Sequence, residues 1–487
     1  MSTNYETVIG LEVHIQLNTQ SKMFCGCSNK GEDAPPNTTI CPVCFGMPGT
    51  LPVANKEAIR KTLLLGVALG AKLAEVWNFE RKNYFYPDLP KGYQITSSSN
   101  PPVIGGAVEV KNPDQTDGYA RLGIHHIHLE EDAGKLLHGD KGYSYVDLNR
   151  AGTPLIELVS LPEKASAQQA RAFLVELQIL ARRLGISEAD MEKGHLRCDA
   201  NISVHKAGEP LGKKVEIKNL NSFRMVEKAL EYEVKRQTDA LERGKEIIQE
   251  TRGWDDQKNM TVSHRNKAEV HDYRYLPEPD IPPIVTTEVK EFGLDEIKST
   301  MPELPSEARK RMQEQYGLTP PQAEICIADP AFGQYVESVF KALPAVKGID
   351  YQGMATRVLF GDVRRIATEQ SIKFEETTFT DQEMLQTIEM LVLGKLSHQL
   401  FKSHLARLLK GEELFADFSG LASEGDAINL DEVIGAVLTE EAKAVSQWKA
   451  GDQKVLGFLV GRIMAKTEGK ADPRQVNQKL RDSLTDG

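Results

Sequence analysis

The sequence has no long hydrophobic run. Its most apolar stretch, Leu63 to Leu73, is broken by Gly66, Gly70 and Lys72, well short of the roughly 20 apolar residues a membrane-spanning helix needs. The first residues, Met1-Ser2-Thr3-Asn4-Tyr5-Glu6, hold neither a basic nor an apolar export region, so a cytoplasmic protein with no membrane partner is expected. Positive charge is not in surplus: 59 Lys and Arg face 70 Asp and Glu, for a net charge of −11. That balance disfavours a protein that coats nucleic acid by bulk charge, while a local basic patch remains compatible with it. The pattern G-x-x-x-x-G-K-S/T is absent, which excludes a P-loop nucleotide site. A local pair of histidines at metal-ligand spacing is also missing, which disfavours a zinc hydrolase. Neither repeats nor low-complexity tracts occur.

With 487 residues, 40% of them hydrophobic, the chain can build several domains. Up to about Pro283 it is rich in Gly, Pro and short alternating segments, the pattern of an α+β domain with mostly antiparallel strands. Two helices are expected within it. One covers 165–184, with Phe173, Leu174, Leu177, Leu180 and Leu184 at helical spacing; the other covers 222–243 and ends at Gly244. From about Val289 onward helical periodicity dominates, interrupted by a loop-like segment at 344–353.

Four of the six cysteines fall within one short stretch, as Cys25-x-Cys27 and Cys41-x-x-Cys44, around a loop with Pro35, Pro36 and Asn37. In a long cytosolic chain such a quartet points to a metal rather than to disulfides. Four thiolates suit a closed structural Zn²⁺ site; the alternative is four unrelated buried cysteines.

Several carboxylates alternate with apolar residues and so share the polar face of a strand. In Leu11-Glu12-Val13-His14-Ile15-Gln16-Leu17 that face holds Glu12, His14 and Gln16. In the segment from Cys198 to Val204 it holds Asp199, Asn201 and Ser203, and near Lys214 to Lys218 it holds Glu216 between lysines. The run Glu130-Glu131-Asp132 is densely acidic, and Glu157 lies inside the apolar run Pro154-Leu155-Ile156-Glu157-Leu158-Val159. An acid there is costly to bury unless it is paired or binds a cation. Oxygen donors with one imidazole suit Mg²⁺ or Mn²⁺ better than Zn²⁺. The alternative is that each face is simply solvated.

Two segments combine cations with aromatics: Arg81-Lys82-Asn83-Tyr84-Phe85-Tyr86-Pro87-Asp88 and His271-Asp272-Tyr273-Arg274-Tyr275-Leu276-Pro277-Glu278. Arg81, Lys82 and Lys218 can neutralise phosphate, and Tyr84 can stack on an adenine ring. Equally, such loops can be pinned by aromatic packing alone.

Taken together, these segments resemble the B-subunit family of the aspartyl/glutamyl-tRNA(Asn/Gln) amidotransferases. The resemblance rests on Val8-Ile9-Gly10-Leu11-Glu12-Val13-His14, the Arg81–Asp88 run, Leu129-Glu130-Glu131-Asp132-Ala133-Gly134-Lys135, and Val146-Asp147-Leu148-Asn149-Arg150-Ala151-Gly152-Thr153 continuing to Glu157. It extends to Leu196-Arg197-Cys198-Asp199-Ala200-Asn201, Glu216-Ile217-Lys218-Asn219-Leu220-Asn221 and Gly457-Phe458-Leu459-Val460-Gly461-Arg462. The match is looser over about 291–390. Two positions depart from the family pattern: His126 stands where Arg is usual, and Leu276 where Phe is usual. The cysteine quartet occurs in only part of that family.

The resemblance implies a catalytic cradle over 1–292, a helical domain over 293–408 and a helical tail over 409–487 that binds tRNA. It implies ATP-dependent phosphorylation of the side-chain carboxylate of Glu or Asp already esterified to tRNA, followed by attack of ammonia. A separate amidase, the A-type partner, would supply the ammonia, and a small C-type partner would complete a heterotrimer. His14, Glu131 and Glu157 are then expected as Mg²⁺ ligands, with Glu12 and Glu216 in support or at a second cation, and Lys82 and Asp199 lining the same site. Lys454, Arg462, Lys466, Lys470 and Arg474 become the candidate tRNA contacts of the tail. Two readings compete: a non-catalytic tRNA-binding scaffold, and an independent metal-dependent hydrolase.

Overall fold

The computed structural model describes residues 5–111, 118–139, 142–266, 272–416, 418–419, 430–449, 452–467, 471 and 473–485. The chain separates into two compact units, Met1–Glu307 and Ala308–Gly487.

The first unit is α+β. Its sheet is built on β1 (Tyr5–Gln16), β2 (Glu80–Asn83), β3 (Tyr93–Thr96), β4 (Tyr119–Glu131), β5 (Pro154–Ser160), β6 (Leu196–Lys206), β7 (Val215–Leu220), β8 (Glu250–Asp255), β9 (Met260–Asn266) and β10 (Leu276–Pro277). They lie in the order β9-β8-β7-β6-β1-β5-β4-β3-β2-β10, with further short strands attached. The neighbours pair antiparallel, except that β7 and β8 run parallel.

One face of this sheet is apolar. Val13 and Ile15 of β1, Ile156 and Leu158 of β5, and Ile127 and Leu129 of β4 are fully or almost fully buried there. They share a core with α1 (Lys56–Ala68), α2 (Ala167–Arg183) and α3 (Phe223–Glu242). Helix α2 begins at a capping box in which the Ser166 side chain and Gln169 bond each other's backbone N–H. It presents Phe173, Leu174 and Leu177 to the core, each stabilising the fold by about 1.5–3 kcal/mol. Helix α3 is capped by Ser222 and ends before Gly244, whose φ of 69° only glycine adopts freely. Both helices lie where their periodicity predicts them.

The second unit is helical. Among its described residues, helices Leu430–Glu440, Val455–Lys466 and Pro473–Thr485 join through Ile434, Val437, Leu459, Ile463, Val476 and Leu480. No helix among the described residues is long and apolar enough to cross a membrane.

Candidate functional site

Strand alternation carries the polar residues to the face opposite the core. The register then aligns them in a row across four strands. His14 on β1 lies opposite Arg197 on β6 and Glu157 on β5, and Glu157 lies opposite His128 on β4. His14 Nε2 stands 3.2 Å from Glu157 Oε2 and 3.6 Å from Glu130 Oε1. His128 Nε2 stands 3.3 Å from the same Glu157 oxygen and 3.5 Å from Glu130 Oε2.

These neighbours set the protonation states. Burial disfavours charge on Glu157, but the His128 and His14 imidazoles beside it outweigh that effect and hold the carboxyl well below its usual range. Burial alone would lower His128, yet Glu130 and Glu157 push it up to about 9. His14 is raised for the same reason, by Glu157 and Glu130 against burial. Lys82 is half-buried; burial disfavours its charge, and the Glu130 and Glu157 carboxylates more than restore it. Among the described residues no ion pair fixes the Lys82 ammonium, which lies 5.0 Å from the Tyr273 ring centre and 6.0 Å from that of Tyr84.

Ligand atoms of His14, Glu130 and Glu157 all lie within 4.8 Å of one another. An imidazole and two carboxylates converging at that spacing fit a hard or borderline divalent cation. The third member is Glu130, not Glu131. Glu131 shares the parity of Ile127 and Leu129, so its carboxylate turns away from His14. There it accepts from Ile95 N at 3.0 Å and pairs with Lys91. A step of one residue along a strand exchanges faces, so the structure places the expected ligand Glu131 on the face away from His14 and Glu157. His128 was absent from that set, although Ile127-His128-Leu129-Glu130 carries the same alternation.

Glu12, Asp199 and Glu216 occupy the same face further along. Glu12 lies opposite Asp199, and its carboxylate accepts from Asn201 at 2.9 Å. The Lys218 ammonium bridges Asp199 at 2.8 Å and Glu216 at 3.1 Å, and is itself raised by those two carboxylates against the effect of burial. Arg81 does not join this face. Its guanidinium is held bidentately by Glu278, with both contacts at 2.8 Å, and also contacts Asp280. A nucleotide contact through Arg81 therefore requires breaking a paired, part-buried ion pair. Tyr84 stands near Lys82, and burial raises its phenol. Beyond Gln16 a cavity of about 400 Å³ opens, lined by Asn149, Arg150, Lys193 and His195 among others.

The cysteine loop is tied to the 146–149 segment, which leads into β5. Asn149 Oδ1 accepts from Thr38 N and Thr39 N at 2.9 Å, and its amide donates to Pro35 O at 2.8 Å. Asn37 adopts φ 60° and bonds Leu148 N and Val146 O. The sulfurs of Cys25, Cys27, Cys41 and Cys44 all come within 4.8 Å of one another, with 4.0 Å between Cys41 and Cys44. Hydrogen bonding from Cys25 and the backbone of Cys41, helped by the nearby Lys22 ammonium, holds the Cys44 thiol down at about 4. Burial pushes Cys27 up to about 11. One thiolate with a fully buried ammonium 3.8 Å away, inside a ring of sulfurs, fits a metal-thiolate centre, whose excess negative charge Lys22 would offset.

In the tail, Lys454 is exposed at the start of helix Val455–Lys466. Arg462 pairs with Glu441 at 2.9 Å and Lys466 pairs with Glu440. Lys470 and the Arg474 side chain lie outside the described residues.

Carboxylates, imidazoles and ammonium groups thus converge on one sheet face, an arrangement suited to the working surface of an enzyme. Residues 7–290 match the GatB/GatE catalytic domain family and residues 338–484 the GatB domain family. Relatives named as the B subunit of aspartyl/glutamyl-tRNA(Asn/Gln) amidotransferase align along essentially the whole length. The protein of Carboxydothermus hydrogenoformans is 42% identical over 99% of both chains. That of Thermodesulfovibrio yellowstonii is 42% identical over 98% of both, and that of Thermotoga maritima 41% over 99% of both. The chain belongs to the B-subunit family of the aspartyl/glutamyl-tRNA(Asn/Gln) amidotransferases.

Proposed function

We propose that this chain is the carboxylate-activating subunit of a tRNA-dependent amidotransferase. With ATP it phosphorylates the side chain of Glu or Asp on a misacylated tRNA, and with ammonia it yields Gln-tRNA(Gln) or Asn-tRNA(Asn). The convergence of His14, Glu130 and Glu157, with Lys82 beside them, carries this reading. A carboxylate is a poor acceptor for ammonia. In the first step its oxygen attacks the γ-phosphorus and ADP leaves. In the second, ammonia attacks the acyl carbon, inorganic phosphate leaves and a proton is lost.

Charge compensation is the main demand of phosphoryl transfer. A Mg²⁺ held by His14, Glu130 and Glu157 would neutralise the charge that builds on the transferred group. Lys82, its charge favoured by the nearby carboxylates and with no ion pair among the described residues, is suited to meet a phosphate oxygen or the substrate carboxylate. Lys218 between Asp199 and Glu216, with Glu12 nearby, forms a second mixed-charge patch that can accept a cation if the ammonium swings aside. Zn²⁺ on the cysteine quartet would brace a loop without taking part in the reaction. A bare tRNA scaffold has no need of buried carboxylates kept ionised.

Ammonia is expected from the amidase partner, with the small C-type partner completing the cytoplasmic complex. The tail, about 409–487, is read as the tRNA contact. The Arg462 and Lys466 ion pairs are solvent-facing and worth little, so phosphate can displace their acidic partners. The test is ATP-dependent transamidation by the reconstituted complex with Glu-tRNA(Gln) and Asp-tRNA(Asn). Product from at least one of them is expected; no product from either, with active amidase present, contradicts the reading.

A further inference from the structure

His128 has no part in the reaction described above, yet it is the most buried imidazole of the row, 2% exposed. Among the described residues its Nε2 has no hydrogen bond of acceptable geometry, although two carboxylates stand within 3.5 Å of it. A buried polar atom left in that state costs free energy unless something satisfies it. The same two carboxylates serve His14. Glu157 turns one oxygen to both imidazoles, at 3.2 and 3.3 Å, and Glu130 turns a different oxygen to each, at 3.6 and 3.5 Å. The four side chains close a ring. Neighbouring donors around one cation at about 2.1 Å stand roughly 3.0–3.4 Å apart, close to the His–Glu spacing in this ring. The ligand atoms that already lie within 4.8 Å of one another are those of His14, Glu130 and Glu157, and His128 would join them by turning towards the cation.

Behind His128, its Nδ1 faces His126 Nε2 at 3.1 Å, and His126 Nδ1 faces His125 Nδ1 at 2.7 Å. In the tautomer in which His126 donates through Nδ1 to His125, its Nε2 accepts from His128 Nδ1–H. His128 Nε2 then faces the two carboxylates. Metal-bound histidines almost always donate their other N–H to such an outer acceptor.

We infer that His128 is a fourth ligand of the cation held by His14, Glu130 and Glu157, and that His126 is the positioning residue that turns its Nε2 towards the metal. The inference rests on the cation site proposed above. It adds a second imidazole to two carboxylates, a donor set that favours a first-row cation such as Mn²⁺ over Mg²⁺.

The experiment titrates the full chain with Mn²⁺ alone, then with Mg²⁺ as competitor, and reads nitrogen couplings on bound Mn²⁺ by pulsed electron paramagnetic resonance. The wild-type chain should show two imidazole nitrogens. His128→Gln should show one and lose Mn²⁺ affinity by about tenfold or more, with a smaller loss for Mg²⁺. Should His128→Gln fail to fold, the half-exposed position 126 carries the test. His126→Arg, which offers no acceptor, should lower Mn²⁺ affinity about tenfold, and His126→Gln, whose amide oxygen accepts, should restore most of it. One imidazole in the wild-type chain, lost in His14→Gln, with His128 and His126 variants unchanged, overturns the inference and leaves the cation site standing. Mn²⁺ affinity that is equal in wild-type and His14→Gln chains overturns the cation site itself.

Discussion

Glu233 and Glu157 are carboxylates of the same compact unit with opposite surroundings. Glu233, on α3, is completely buried and saturated. Arg236 holds it bidentately at 2.8 Å, Gln237 donates at 3.0 Å, Thr261 donates a further bond, and Arg252 lies 3.2 Å away. Its partners are permanently charged or neutral donors, and nothing in the cluster is left over. Glu157 is surrounded by imidazoles, which can give up a proton or accept a cation, and one of them keeps an unsatisfied nitrogen. A closed network of this kind serves the fold, and an open one serves a ligand.

Breaking the closed network should give the largest stability change. Glu233→Gln leaves Arg236 and Arg252 with Glu250 as their shared counter-charge, removes the bidentate pair with Arg236 and should cost about 3–5 kcal/mol in denaturant unfolding, with Mn²⁺ affinity unchanged. The acid limb should change too. Burial disfavours the Glu233 charge, but hydrogen bonds from Arg236, Thr261 and Gln237 lower its pKa in the folded state. Its stabilisation is therefore present above the unfolded carboxyl value near 4.3 and fades as pH falls through the lower folded value. A pH series of unfolding curves should show this loss in the wild-type chain and a flatter profile in Glu233→Gln.

The open network should respond in the reverse way. Glu157→Gln and Glu130→Gln should change stability by less than about 1–2 kcal/mol and reduce transamidation at least ~10²-fold. Glu131→Gln sharpens the contrast between adjacent residues. It should leave Mn²⁺ affinity within about threefold of wild type, because its carboxylate serves Lys91 and Ile95, but should lower stability by a few kcal/mol. Cation titration with unfolding curves of Glu130→Gln and Glu131→Gln distinguishes the two.

That pair also marks how far the sequence is legible. The α+β character, both long helices, the polar faces of β1, β6 and β7 and the cysteine quartet follow from periodicity and spacing. Alternation in Ile127-His128-Leu129-Glu130 also separates Glu130 from Glu131, a distinction that the unbroken acidic run Glu130-Glu131-Asp132 hides. Spacing cannot show that β1, β5 and β4 are neighbours, because they are far apart in sequence and only the pairing register brings His14, Glu157 and His128 into a row. Nor could it show that Arg81 is taken by Glu278, a partner 197 residues away.

Smaller effects are expected outside both networks. Cys41→Ser should lose bound zinc and lower the melting temperature, since three thiolates hold the loop less firmly, with Mn²⁺ affinity unchanged by direct titration. The smallest change concerns the tail. Lys454→Ala should weaken tRNA binding modestly and reduce the slope of log affinity against log salt by just under one, as removal of one phosphate contact does.

On the proposed function, the open cluster activates a carboxylate with ATP. The direct measurement is ADP release by the reconstituted complex, with misacylated tRNA present and ammonia and glutamine withheld, for wild type and Glu130→Gln. Wild type should release ADP only when the tRNA carries its amino acid, and Glu130→Gln should bind the same tRNA and release essentially none. ADP release by Glu130→Gln at the wild-type rate would contradict the account.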